Sequence, residues 1–101
     1  LPGTALGAAP LLAAFRDDCL AAGDDACLRR LFAAEAPGLA ADLDALAVGG
    51  AAERRIVADE WVLAADLGDI EIVQSVDGAG SVSVERTAEG WRLRDVWLLP
   101  R

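Results

Sequence analysis

Histidine, lysine, tyrosine, methionine and asparagine are all absent from this 101-residue chain. Without histidine the chain lacks the one side chain that ordinarily titrates near neutrality, and with it the commonest general base and metal ligand. Without lysine there is no Schiff-base amine and no amine to activate a hydroxyl nucleophile. The hydroxyl side chains are Thr4, Ser75, Ser81, Ser83 and Thr87, and with no histidine or lysine to serve as base the sequence argues against acyl transfer by a serine–base pair. No glycine-rich loop opens a helix: Gly78-Ala79-Gly80 runs into a strand pattern, whereas a phosphate loop needs a helix after it. The apolar stretch Ala5 to Phe15 is too short to span a bilayer and has no cationic region before it. Positive charge is scarce as well. Nine arginines face seventeen acids, for a net charge of −8 and a pI near 4.3. That balance argues against nucleic acid and anionic lipid, which are held through clustered positive charge. A basic partner or a cationic ligand stays open, but an acidic surface that keeps the chain soluble explains the charge more simply.

The missing lysine, asparagine and tyrosine all use AT-rich codons, which suggests a high-GC bacterial genome. The lack of an initiator methionine suggests a processed chain or a piece of a longer one. Any signal peptide or membrane anchor is then expected upstream of Leu1, and residues 1–9, small and rich in Gly and Ala, read as an arm or linker remnant. Residues 10–100 read as a single domain, large enough for one modest core.

Hydrophobic residues make up 54% of the chain, but 22 of them are alanine. Three tryptophans, two phenylalanines and the branched residues must therefore supply most of the burial. The clearest organisation is in residues 69–99. Ile70–Val76, Ser81–Arg86 and Trp91–Trp97 alternate with period two and are separated by glycine-bearing turns, the pattern of an antiparallel meander. A three-residue loop at Gly78-Ala79-Gly80, with Gly80 left-handed, pairs Val76 with Val82 and Gln74 with Val84. The turn Thr87-Ala88-Glu89-Gly90 pairs Arg86 with Trp91, Val84 with Leu93 and Val82 with Asp95, and sets Glu85 opposite Arg92 on the solvated face. Trp91 and Trp97 then share the apolar face with Leu93.

Upstream, Pro10 suits a first helical position, and Leu12, Phe15, Cys19 and Ala22 mark a helix over about 10–22 that Gly23 ends. Asp24 is placed to cap a second helix bearing Cys27, Leu28, Leu31 and Ala34, broken at Pro37-Gly38. Leu39, Leu43 and Leu46 mark a third, which stops at Gly49-Gly50. Residues 51–67 can be read as a helix, or residues 55–65 within them as a strand. The strand is favoured, because a turn at Asp66–Asp69 sets Leu63 opposite Ile72 and Trp61 opposite Gln74, placing Trp61, Leu63 and Ala65 on the face of Ile70, Ile72 and Val76. The expected fold is thus α+β, with three N-terminal helices on one face of a C-terminal four-stranded antiparallel meander. This order of elements, with the terminal strand Glu89-Gly90-Trp91-Arg92-Leu93-Arg94-Asp95-Val96-Trp97, resembles the NTF2-like, cystatin-like α+β group. The resemblance implies a cone in which N-terminal helices lie across a curved sheet. In catalytic members it implies Asp, His, Tyr or Arg side chains acting as acid/base pairs inside the cone.

Cys19 and Cys27 stand eight residues apart, about 12 Å of rise in one continuous helix and too far for a disulfide. A chain that turns at Gly23 can bring them together, and a disulfide is favoured over two reduced core thiols. No zinc site is expected, since two ligands are missing. Asp17-Asp18 and Asp24-Asp25 match no calcium loop, so no metal is assigned. Gln74, Arg86 and Asp95 intrude on the expected apolar sheet face. There each either lines a pocket or sits at the sheet's end, paired or wet. Together with Trp91 and Trp97 they form the candidate ligand-binding set. Two functions follow from these residues. One is a non-enzymatic, extracytoplasmic binding domain, secreted or membrane-anchored, that takes a protein partner or a small apolar ligand in its sheet–helix cleft; it uses no cofactor and could form a homodimer. The other is a small isomerase, cyclase or dehydratase with Asp95 as acid/base, aided by Arg86, Gln74 or Asp59. A cavity reaching Asp95 would favour the enzyme, and a filled core the binding domain.

Overall fold

In the computed structural model, which describes residues 2–98, the first element begins at a hydroxyl cap. The Thr4 backbone is extended, and its Oγ1 accepts a hydrogen bond from the Gly7 N–H at 3.1 Å. Helix α1 runs Ala5–Ala22, starting five residues before the expected Pro10, which lies inside it. Residues 5–9, expected to belong to an arm, are its opening turns, and Ala5, Ala8 and Ala9 are fully buried there. A cap at Thr4 followed by alanine, the best helix former, outweighs the N–H that proline removes. Gly23, at φ 65°, closes the helix with its N–H on the Cys19 and Leu20 carbonyls. Asp24 then caps α2 (Asp25–Leu31), its Oδ1 accepting from Cys27 N–H at 3.1 Å. This reversal brings the two cysteines to a Cα–Cα distance of 5.5 Å, and they are joined as a disulfide.

Helix α3 (Pro37–Val48) has proline in its first turn and left-handed Gly49 at its end. A short 3-10 turn follows at Ala51–Arg54. The ambiguous segment is a strand, though shorter than expected: β1 spans Trp61–Asp66, and the residues before it belong to no strand. It pairs with β2 (Ile70–Ser75), β3 (Gly80–Thr87) and β4 (Gly90–Leu98) in sequential antiparallel order. Next to β4, Phe32 forms a parallel bridge to Leu93, and Ala33 N–H donates to the Leu93 carbonyl at 2.8 Å. The expected ends of the meander at 99 and of the domain at 100 lie outside the described residues.

The fold class is as expected, but three registers shift. Between β2 and β3, Val73 pairs with Val82 and Gln74 with Ser81, in place of Val76 with Val82 and Gln74 with Val84. The turn causes this. Asp77 Oδ1 accepts from Ala79 N–H at 3.0 Å, and Ser75 Oγ accepts from Gly80 N–H at 3.0 Å. Gly78, not Gly80, takes the left-handed conformation, at φ 79°. Gly80 serves in the strand through its size: a Cβ there would lie 2.7 Å from the Trp97 carbonyl and 2.8 Å from Ile56 Cδ1. Between β1 and β2, Trp61 pairs with Ser75 and Leu63 with Val73, and an irregularity at Ala64 brings Ala65 opposite Ile72. Between β3 and β4, Arg86–Trp91, Glu85–Arg92 and Val84–Leu93 pair as expected. A bulge at Arg94 then puts Asp95 opposite Ser83 and Val96 opposite Val82.

These shifts decide which sheet face is covered. The helices pack on Val73, Val82, Val84, Trp91, Leu93 and Val96, together with Ala8, Ala9, Leu12, Leu20 and Leu28. Ile70 and Ile72, expected in that core, point the other way, since they alternate with fully buried Val73. Val76, also expected there, is an exposed turn residue.

Candidate functional site

The space between helices and sheet is occupied by side chains. Leu12, Leu28, Val73, Val82, Val84 and Leu93 are all less than 2% exposed and close the cleft that the sequence suggested as a binding site. The candidate residues are consequently divided between two faces. Trp91 lies on the covered face; its indole N–H donates to the Gly3 carbonyl at 3.0 Å, and the Arg86 guanidinium sits 4.4 Å from its ring centroid. Gln74, Asp95 and Trp97 are on the opposite, open face, by their pairing with Ser81, Ser83 and Ser81. Arg86 and Asp95 therefore form no acid/base pair across a cavity. Asp95 organises the bulge instead: its N–H donates to Ser83 Oγ at 3.0 Å, and its Oδ1 accepts from Val96 N–H at 2.8 Å. Glu85, opposite Arg92 in register, is ion-paired at 2.9 Å with Arg94, which the bulge brings over it.

The open face has its own organisation. One cross-strand row carries Val62, Gln74, Ser81 and Trp97 in that order across the four strands. Its two ends, Val62 at 48% and Trp97 at 42%, are exposed. The next row carries Ala65, Ile72, Ser83 and Asp95, and beyond it lie Ile70, Glu85 and Arg92. The face thus combines branched aliphatics and an indole with an amide and hydroxyls between them. It can offer apolar contact through Val62 and Trp97 and hydrogen bonds through Gln74 and Ser81, while Ser83 is buried and taken by Asp95 N–H. Protein interfaces likewise combine apolar area with hydrogen bonds.

A second assembly was not foreseen. Arg16 and Asp42 are fully buried and form a two-pronged pair, Nε to Oδ2 at 2.6 Å and Nη2 to Oδ1 at 2.9 Å. Arg54 adds its Nε to Asp42 Oδ1 at 2.6 Å, and its carbonyl accepts from Arg16 Nη2 at 2.8 Å. Asp17 Oδ1 stands 3.6 Å from Arg16 Nη1 and accepts from Ile56 N–H at 3.1 Å. Burial raises the Asp17 carboxyl above its ordinary value, against the lowering pull of that hydrogen bond and of Arg16 and Arg55. Asp17 also lines a depression of about 220 Å³ with Asp18, Arg55 and Trp61. Every charge in the cluster faces an opposite one, and the cluster ties α1 to α3 and the 3-10 turn, which marks it as structural. A signal for it existed in the sequence. Arg16 falls on the Leu12–Cys19 stripe of α1, and Asp42 falls between buried Gly38 and Ala45 on α3. Opposite charges at interior positions of two helices are a pairing signal.

No family model, no curated protein and no solved structure matches this chain. The disulfide fits an oxidising, extracytoplasmic environment, where such bonds form and persist. Among the described residues, no helix is long and apolar enough to cross a membrane.

Proposed function

We propose that the chain is a non-enzymatic, extracytoplasmic interaction domain that engages a protein partner through the open face of its sheet. The observation that carries this reading is the row Val62–Gln74–Ser81–Trp97, in which a large indole is left half in water on the face opposite the helices. Tryptophan is enriched at interface hot spots, because one side chain supplies a large, rigid contact area. The enzymatic reading loses its motivation, because Asp95 sits on an open surface with its carboxylate engaged by the backbone. The NTF2-like, cystatin-like resemblance belongs to the same proposal: element order and helices lying across one sheet face support it.

The test is photo-crosslinking from benzoylphenylalanine placed at position 62 or 97, with positions 48 and 57 as exposed apolar controls away from the row. In the protein's native extracellular or periplasmic fraction, a discrete adduct is expected from 62 and 97 only. Excess wild-type protein should compete it away, and a Val62→Asp/Trp97→Ala double variant should not. An adduct at twice the chain mass would identify a second copy as the partner. Equal labelling from all four positions, or none, would refute the proposal.

A further inference from the structure

The arginines of this acidic chain are not spread evenly. Arg29 and Arg30, in the last turn of α2, face the β3–β4 end of the sheet across a groove of about 450 Å³. Arg92 lines the same groove, together with Phe32, Glu85 and Glu89. A second depression of about 440 Å³ adjoins it, sharing Glu89 and Arg92 and adding Arg86 and Trp91. Among the described residues, ion pairs engage Arg16, Arg54 and Arg94 but none of Arg29, Arg30, Arg86 and Arg92. In a chain with seventeen acids to nine arginines, four guanidinium groups without carboxylate partners converge on one place.

The acids at the groove do not neutralise them. Glu85 is taken by Arg94 at 2.9 Å, whereas Glu89, whose Oε2 accepts from the Thr87 hydroxyl at 3.2 Å, keeps its charge, so one carboxylate faces four guanidinium groups. A helix dipole accounts for basic residues at the end of α2, but not for Arg86 and Arg92 arriving from the sheet. Guanidinium is a planar fork that matches a carboxylate in two parallel hydrogen bonds, and the conversion of several such groups to bound pairs is a source of specific affinity. A long polyanion would meet the net charge of −8, whereas a short segment feels chiefly the charges within a Debye length.

We propose that this groove binds the side-chain carboxylates of a short acidic peptide segment on a partner protein. The groove adjoins the open face, sharing Glu85 and Arg92 with its edge, but does not include the Val62–Trp97 row on which the open-face reading rests. The variants that test it alter Arg29 and Arg30, while those that test the open face alter Val62 and Trp97, so either can fail alone. Fluorescence polarisation with a labelled hexaglutamate peptide, at low and physiological salt, should show saturable binding that weakens with salt, and hexaglutamine should not bind. Arg29→Gln/Arg30→Gln should reduce affinity at least tenfold with an unchanged circular dichroism spectrum and melting temperature, since both side chains are exposed. Glu89→Gln should strengthen binding several-fold by removing the remaining like charge. Equal binding of hexaglutamate and hexaglutamine, or full affinity in the double variant, would overturn the proposal. So would saturable binding of tripolyphosphate or single-stranded DNA without binding of hexaglutamate, which would assign the groove to phosphate.

Discussion

Removing Asp42 alone should be among the most damaging single changes in this domain, yet removing Arg16 with it should restore much of the loss. Arg16 is 0% exposed and donates three hydrogen bonds, two to Asp42 and one to the Arg54 carbonyl. Asp42→Leu leaves that guanidinium with the carbonyl and with Asp17 at 3.6 Å, while its Nη1 has no hydrogen-bond partner among the described residues to begin with. An uncompensated buried charge of this kind costs about 3–5 kcal/mol. Arg16→Met keeps the apolar stem and leaves Asp42 with Arg54, whose side chain is 22% exposed and reaches water. That variant should lose less, about 2–3 kcal/mol, by the usual cost of an under-satisfied buried polar group. In Arg16→Met/Asp42→Leu both charges are gone and aliphatic volume replaces them, so the double variant should lie within about 2 kcal/mol of wild type. The coupling energy is then several kcal/mol and opposite in sign to the single losses. Urea unfolding followed by tryptophan fluorescence measures it. For a domain of this size each kcal/mol moves the melting temperature by roughly 4–8 °C, so Asp42→Leu should melt at least about 12 °C below wild type. Strictly additive losses, or an Asp42→Leu loss under about 1.5 kcal/mol, would show that the pair is not the dry, mutually dependent unit described here.

Trp91→Ala should cost about 3–5 kcal/mol, since the ring is buried and its N–H bonded to Gly3, while Trp97→Ala on the open face should cost about 1 kcal/mol; equal losses in urea would mean the bulge is misplaced. Cys19→Ala/Cys27→Ala should lose about 2.6 kcal/mol by the loop-entropy relation, and the same unfolding experiment on reduced wild type should match it. Asp17→Asn keeps the acceptor for Ile56 N–H but cannot ionise. Because burial raises the Asp17 carboxyl, its stabilising contribution is fully present below the unfolded value near 3.8 and is lost as pH rises through the folded one. The stability of Asp17→Asn relative to wild type should therefore grow with pH from about 4 upward and then level off; unfolding titrations of both proteins that stay parallel throughout would exclude the effect.

What could be read from the chain alone was whatever local chemistry decides without help. Gly23 and Asp24 are a helix stop and a cap, and they produced the reversal that the disulfide needs. Thr87-Ala88-Glu89-Gly90 determines its own register, and three pairs of the β3–β4 hairpin followed from it. The β2 register could not be read the same way, because Ile70–Val76 is apolar on both parities, with Ile70, Ile72 and Val76 on one and Val73 on the other. Counting apolar residues selects the first set. The turn selects the second, through the Asp77 and Ser75 side chains, and once Val73 faces Val82 the two isoleucines must face outward. The start of α1 was missed for a related reason: Pro10 is a good first helical residue, but Thr4 is a better cap. The buried charge cluster joins residues 16, 42 and 54, and nothing local connects those positions.

One extra residue in β4 accounts for much of what distinguishes the open face. Without the bulge at Arg94, strict alternation from buried Leu93 would carry Asp95 and Trp97 to the helices, burying a carboxylate in an apolar core along with the indole. The bulge reverses the parity beyond Leu93. Val96 takes the core position opposite Val82, and Asp95 turns outward, where Ser83 and its own following N–H satisfy it. Arg94 reaches Glu85, and Trp97 is left in water at the end of a row with Gln74 and Val62. A bulge costs ladder hydrogen bonds and is kept where it re-aims a side chain. Here it removes a charge from the core and exposes an aromatic in the same step. The exposed indole is therefore a consequence of how the last strand is built: the irregularity that keeps the Asp95 carboxylate out of the core also turns Trp97 outward, and the proposed partner contact would use a side chain placed there by the core's own needs.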